Sequence, residues 1–255
     1  RATVTFYDQA IGEEVTQAKQ VPVLINYTVG ARRFEKKPDR FDLDLIRKIE
    51  ESAIPYWFPT DRMPEGDESR RNDKIGITHV HHFYTKRNLW VLAALKKYLF
   101  EIENWSVKNK LLFGFNNIHQ RHCKMNAFRF NVSFPSNITS GTLYIPSLIK
   151  ENNIFTQLSN KYFRRLKPVL SSNVVNFNKN NVLVWTADES FTLITPNTVD
   201  YVFTDPPFGS NLMYSELNFL WESWLGAATN NLSEAIQSKE QGKSIDDYRR
   251  LMSAG

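Results

Sequence analysis

A single cysteine, Cys123, stands among the 255 residues. It excludes an intrachain disulfide and any zinc site built from several thiolates, and it fits a reducing, cytoplasmic compartment. Long apolar runs are also missing. None reaches the roughly 20 residues that a membrane-spanning helix requires, and no charged-then-apolar leader opens the chain, so a soluble protein is expected. Glycine is sparse, with ten residues in all. The one place to look for a cofactor loop, Phe113-Gly114-Phe115, holds too few glycines for a main chain that must approach a ligand at several points. Residues 107–129 read instead as a helix with a basic end.

Apolar residues make up 42% of the chain, enough for one large domain or for a core with an appendage. The formal net charge is +5 and the isoelectric point is near 9.2. From Asp188 onward there are 4 basic against 10 acidic residues, which leaves 28 against 17 upstream. In a nucleic-acid enzyme this distribution places phosphate contacts on the upstream segments. A solvated basic face without a ligand is the competing reading.

Residues 4–7 and 23–29 read as strands. The first is β-branched and aromatic, and in the second Val23, Ile25, Tyr27 and Val29 alternate ahead of Gly30. A basic loop over 31–38 leads to Asp42, the expected N-cap of a helix with Leu45, Ile46 and Ile49 on one face. Residues 59–74 mix charges of both signs with proline and glycine and show no periodicity, which predicts a long loop. Within it Arg70, Arg71 and Lys74 are candidate phosphate ligands. His79, His81 and His82 follow. With no cysteine and no evident carboxylate to complete a metal site, they read as pocket or core histidines, and no metal is expected. Thr85 is the expected cap of a largely buried helix over 86–103, with Lys96 and Lys97 as its first exposed positions, and another helix is expected over 155–167. A doubly wound rhythm begins near residue 180: a buried strand at 182–185 leading to Asp188, a turn at Pro196-Asn197, and a second buried strand at 199–203.

That second strand runs into Asp205-Pro206-Pro207-Phe208-Gly209. Each proline fixes its own φ and restrains the residue before it, so the pair holds Asp205 and Phe208 in one relative orientation. A carboxylate, the Pro206 carbonyl and a flat ring then stand together. Two acceptors beside a ring suit an amino group on a planar base. A surface turn with a packed phenylalanine is the plain alternative.

Asp-Pro-Pro-Phe after an apolar strand resembles the catalytic motif of S-adenosylmethionine-dependent methyltransferases that act on exocyclic amino groups, mainly adenine N6 and sometimes cytosine N4 in DNA. The resemblance implies that Asp205 and the Pro206 carbonyl hold the target amine, that Pro207 keeps the corner rigid, and that Phe208 stacks on a base flipped out of the duplex. It further implies cofactor contacts from Asp188 to the adenine of S-adenosylmethionine and from Thr85, in the segment Phe83-Tyr84-Thr85-Lys86-Arg87-Asn88-Leu89, near its methionine end. Helix capping explains both residues without a ligand. Asn211 and Tyr214, next to the corner, are candidate walls of the base pocket. The helix after them, with Leu217, Leu220, Trp221, Trp224 and Leu225, reads as core. The run Met213-Tyr214-Ser215-Glu216-Leu217, together with the loop from Arg62 to Arg70 and the Thr85 helix, is similar to a subgroup of bacterial DNA methylases over residues 55–250.

The expected fold is therefore α/β: a partial Rossmann-like methyltransferase core over 55–255, with a β-rich appendage plus helix over 1–54. The expected partner is DNA, with no membrane, and restriction or phage-defence proteins are open as further partners. The family's glycine-rich loop and the acid after its second strand are not found. In the subgroup they lie upstream of a cysteine-rich insertion, so the chain reads as a fragment with both ends cut, and weak cofactor binding is expected of it. Methylation of an RNA base or a protein amide, or a non-catalytic nucleic-acid-binding protein with a degenerate methyltransferase fold, remain as alternatives.

Overall fold

The computed structural model describes residues 2–129, 136–159, 194–195, 197–206, 208–210 and 212–254. Two hairpins come first. β1 (Thr3–Asp8) pairs antiparallel with β2 (Glu13–Ala18), and β3 (Ile25–Val29) with β4 (Arg32–Lys36). Both expected strands are present. The basic stretch after Gly30, expected as a loop, is largely β4. A two-residue turn reverses the chain and sets Phe34 opposite Tyr27, with ring centroids 5.6 Å apart, so cross-strand stacking holds the arginines and lysine in a ladder.

Helix α1 (Arg40–Glu51) begins one turn earlier than the Asp42 signal suggests. Asp39 is its N-cap and Asp42 is the third residue of a capping box; each carboxylate accepts the other's main-chain N–H, at 2.9 and 3.0 Å. The expected long loop at 59–74 contains helix α2 (Asp67–Asp73). Acids in its first turn and Arg70 and Arg71 in its last suit the helix dipole, an order that mixed composition conceals. A 3-10 turn, Val80–Phe83, leads to α3 (Lys86–Phe100), capped by Thr85, whose Oγ1 accepts the Asn88 N–H at 3.3 Å. One face of α3 is buried, through Leu89, Leu92 and Ala93. Lys96, expected outside, is buried with them. The helix with a basic end is α4 (Trp105–Arg121).

A short ladder joins β5 (Ala127–Phe128) to β6 (Ser136–Asn137), and α5 (Ile154–Gln157) covers the start of the helix expected over 155–167. Residues 160–167 of that helix, the strand at 182–185 and Asp188 lie outside the described residues. The last elements are α6 (Tyr214–Leu225) and α7 (Ile245–Ala254).

The architecture is mixed α/β with two-stranded antiparallel sheets, and no parallel pair occurs among the described residues. Residues 199–203, expected as a buried strand, are neither strand nor buried: Tyr201, Val202 and Phe203 are 80%, 73% and 85% exposed. An apolar run is buried only where other elements cover it on both faces. Among the described residues nothing does so here.

The core forms where the 3-10 turn, α3, α4 and α6 converge. Trp224, Phe83, Met63, Leu92, Leu143 and Ile154 are fully buried at its centre. Cys123 lies in the same cluster, and burial pushes its thiol up to about 12, leaving it inert. The β1–β2 hairpin packs on this body: the Ala18 N–H donates to the Ile75 carbonyl at 3.2 Å, and a Cβ on Gly76, at φ +78°, would collide with the Thr16 carbonyl. Lys86 Nζ donates to the Glu50 carbonyl at 2.6 Å and Arg87 pairs with Glu50 at 3.2 Å. These contacts cross the boundary expected at residue 54. No helix among the described residues is long and apolar enough to cross a membrane.

Candidate functional site

The corner stands on the outside of the molecule. Asp205 is exposed, Pro206 is half-buried and the Phe208 ring is 74% exposed; Pro207 lies outside the described residues. A ring of this size left in water contributes nothing to the core, yet the chain just after it is tied down. The Gly209 carbonyl accepts the Gln237 N–H at 3.3 Å. Ser215 donates its N–H and its hydroxyl to the two oxygens of Glu234, at 3.2 and 2.7 Å. Tyr214, the first residue of α6, is 54% exposed on the same run of chain, and Asn211 lies outside the described residues.

α6 then carries the corner onto the core through a residue that the sequence reading passed over. Glu216 is buried, and its Oε1 accepts the Ser69 N–H at 2.6 Å, so a carboxylate sits on the N-terminus of α2. Space for it exists only because residue 66 is glycine; a Cβ there would fall within the carboxylate. Burial raises the Glu216 pKa, against the lowering effect of the Ser69 hydrogen bonds. Its signal was the spacing Glu216, Leu220, Trp224, which puts an acid on the apolar stripe of a helix.

The loop with the candidate phosphate ligands is thereby docked beside the helix that follows the corner. Its arginines are committed within the chain. Arg70 pairs with Asp73 at 2.9 Å and Glu65 at 3.4 Å, and Arg62 meets the same Asp73 oxygen at 2.8 Å. Arg71 pairs with Glu68, donates to Thr142 Oγ1 at 3.0 Å and lies 5.5 Å from the centre of the Tyr144 ring. Lys74 is exposed. The second half of the Thr85 segment is structural as well, since Arg87 also binds Glu151, at 3.0 and 2.5 Å.

Tyr84 is buried between α4 and α6. Trp224 Nε1 donates to its hydroxyl at 3.0 Å, and the hydroxyl lies 3.1 Å from His119 Nδ1. Burial raises the Tyr84 pKa, so the phenol keeps its proton for His119, whose own pKa burial lowers to about 3. Lys96 Nζ donates to the Trp224 carbonyl and sits 3.7 Å from the centre of the Trp57 ring, and burial lowers its pKa to about 8.

The histidines gain the partner that their neighbourhood in sequence lacks. Asp8, at the end of β1, places Oδ2 2.7 Å from His81 Nε2 and 2.9 Å from His82 Nε2. All three residues are buried, at 8%, 7% and 4% exposure. The hydrogen bonds from the two imidazoles outweigh burial and hold the Asp8 carboxyl far below the usual range. Burial takes His82 down to about 4, so its ring is neutral. Seventy-three residues separate Asp8 from His81, which puts the contact beyond any local pattern.

The residues assigned to S-adenosylmethionine do not assemble a cradle among the described residues. Thr85 spends its hydroxyl on capping α3, Asp188 lies outside, and the nearest pair of glycines in the chain, Gly66 and Gly76, are separated by a helix. No hydrogen bond or ion pair among the described residues joins Thr85 to Asp205. Compared with known protein families, curated proteins and solved structures, the chain matches none.

Proposed function

We propose that this chain carries the base-holding corner of an S-adenosylmethionine-dependent DNA methyltransferase with an α/β, Rossmann-like catalytic core, acting on an exocyclic amine, adenine N6 first. The observation that carries the reading is the exposed Asp205 carboxylate and Phe208 ring, followed by a chain tied down at Gly209, Ser215 and Glu216. A flipped base meets the Phe208 face by stacking, worth about 1–3 kcal/mol for a base on an aromatic side chain. Its amine then donates to the Asp205 carboxylate and the Pro206 carbonyl, both acceptors only. This leaves the nitrogen lone pair aimed at the methyl donor and leaves catalysis to positioning and to the charge of Asp205 as the nitrogen becomes positive. S-adenosylmethionine would supply the methyl group. Tyr214 lines the pocket beside the ring, and the upstream basic surface, Lys74 included, meets DNA phosphates.

Direct sequencing of modified bases, in DNA from cells that express the full gene, tests this. The expected result is methylated adenine that disappears in Asp205→Ala while the variant accumulates normally. Full methylation in that variant sinks the site assignment. Methylated cytosine in place of adenine redirects the target within the same corner. Absence of any modified base from cells whose protein binds DNA favours the second reading, a non-catalytic nucleic-acid-binding protein.

A further inference from the structure

We propose that Asp8, His81 and His82 form a site for one divalent first-row transition-metal ion, with Zn2+ the natural occupant, which clasps the N-terminal hairpin to the Val80–Phe83 turn. The three side chains offer one oxygen and two nitrogens, and the ligand atoms all lie within 4.8 Å of one another. Two imidazoles and a carboxylate are a donor set that zinc accepts, leaving a fourth position open. In a tetrahedral zinc site neighbouring ligand atoms stand about 3.3 Å apart. The Asp8 Oδ2 to Nε2 distances of 2.7 and 2.9 Å therefore open by only a few tenths of an ångström to admit an ion.

The His81 ring sets one condition on the site. His81 Nδ1 is buried without a hydrogen-bond partner. In the metal-free arrangement Nε2–H of His81 donates to Asp8 and the other nitrogen is stranded, which costs about 1–3 kcal/mol for a buried polar atom. With a metal on Nε2 the ring proton moves to Nδ1, which stays without a partner, so the ion–ligand bond has to outweigh the cost of burying that N–H.

His82 decides between the two arrangements. Its Nδ1 lies 3.3 Å from the main-chain nitrogens of both Thr78 and His79, which as donors favour a bare Nδ1 and hence the hydrogen-bonded form. It also lies 3.2 Å from Thr78 Oγ1, the one neighbour able to accept an Nδ1–H when a metal takes Nε2. The centre of the His79 ring lies 5.3 Å from that of His82 and 5.8 Å from that of His81. Burial of all three ligands gives a substrate little access, so the ion's work is structural: it joins β1 to residues 81 and 82 across the chain.

The test uses the tag-free chain stripped with a chelator. Titration with Zn2+ is expected to show one equivalent bound and, at free Zn2+ a hundredfold above Kd, a rise in Tm of about 5–10 °C. Co2+ in its place is expected to give the visible absorption of a four-coordinate site. Asp8→Asn and His81→Gln, checked for native far-ultraviolet dichroism, are expected to lose the stoichiometric binding and the shift. Long-range 1H–15N spectra of the unmutated protein provide a readout that does not depend on variants folding: Zn2+ is expected to move the proton of both rings from Nε2 to Nδ1. Absence of stoichiometric binding, equal binding in the variants, or rings that keep Nε2–H with Zn2+ present overturns the site and leaves a hydrogen-bonded cluster.

Discussion

Phe208 and Trp224 are aromatic residues sixteen positions apart with opposite roles. Trp224 is 1% exposed, packs edge-on to Tyr84, Phe115 and Trp57, and donates to the Tyr84 hydroxyl. Phe208 is 74% exposed. Trp224→Ala is therefore expected to lose about 3–5 kcal/mol of stability through the cavity it leaves. Phe208→Ala is expected to change stability by less than about 0.5 kcal/mol. Urea denaturation of the two variants checks the contrast, and a Phe208→Ala protein that is stable but inactive separates a base platform from a packing residue. The Asp-Pro-Pro-Phe order was legible in the sequence because its residues are contiguous. The Asp8 contact with His81 and His82 was not, because a hairpin must first fold back over the 3-10 turn.

At the scale of elements, the telling junction is α2 on α6. The sequence 59–74 looked like a loop because its charges alternate in sign, yet the acids precede the arginines by one turn and a helix results. The Glu216 carboxylate on the Ser69 N–H and the bare Cα of Gly66 let the two helices meet. Glu216→Ala strands that buried N–H and is expected to destabilise by about 1–3 kcal/mol. Glu216→Gln keeps an acceptor and removes a charge that burial opposes, so its loss is expected to be less than half as large. Gly66→Ala is expected to match or exceed Glu216→Ala, since the carboxylate must leave its seat. Thermal unfolding of the three variants ranks them; equal losses for Ala and Gln at 216 would show that charge, and not the acceptor, matters there.

For the molecule as a whole, stability depends on pH through its buried histidine core. His119 is fully buried beside His122 and Lys96, with its pKa lowered to about 3 by burial first and by those two neighbours second. Below the ordinary histidine value of about 6.5 the unfolded chain takes up a proton at this position that the folded chain refuses. Stability is thus expected to fall as pH drops, by about 1.4 kcal/mol per unit from this group between about pH 6 and 5. His119→Gln, which keeps an acceptor for Tyr84, is expected to flatten the slope by that amount in denaturation curves taken across the interval. A slope unchanged by the substitution would place the histidine's proton in both states.

Local pattern was sufficient for β1, β3, the Thr85-capped helix and the apolar stripe of α6, since alternation, capping and 3.6-residue spacing act over a few neighbours. Asp205 and Phe208 were picked out from contiguous residues alone, since a proline restrains its own φ and the residue before it. Tertiary structure decided the remainder. It put Lys96 and Glu216 inside, paired Arg70 and Arg71 with acids of their own helix, and left the apolar residues 201–203 in water. It alone brought Asp8 to His81 and His82. Burial and charge pairing depend on which surfaces meet, and surfaces meet only after elements distant in the chain have packed.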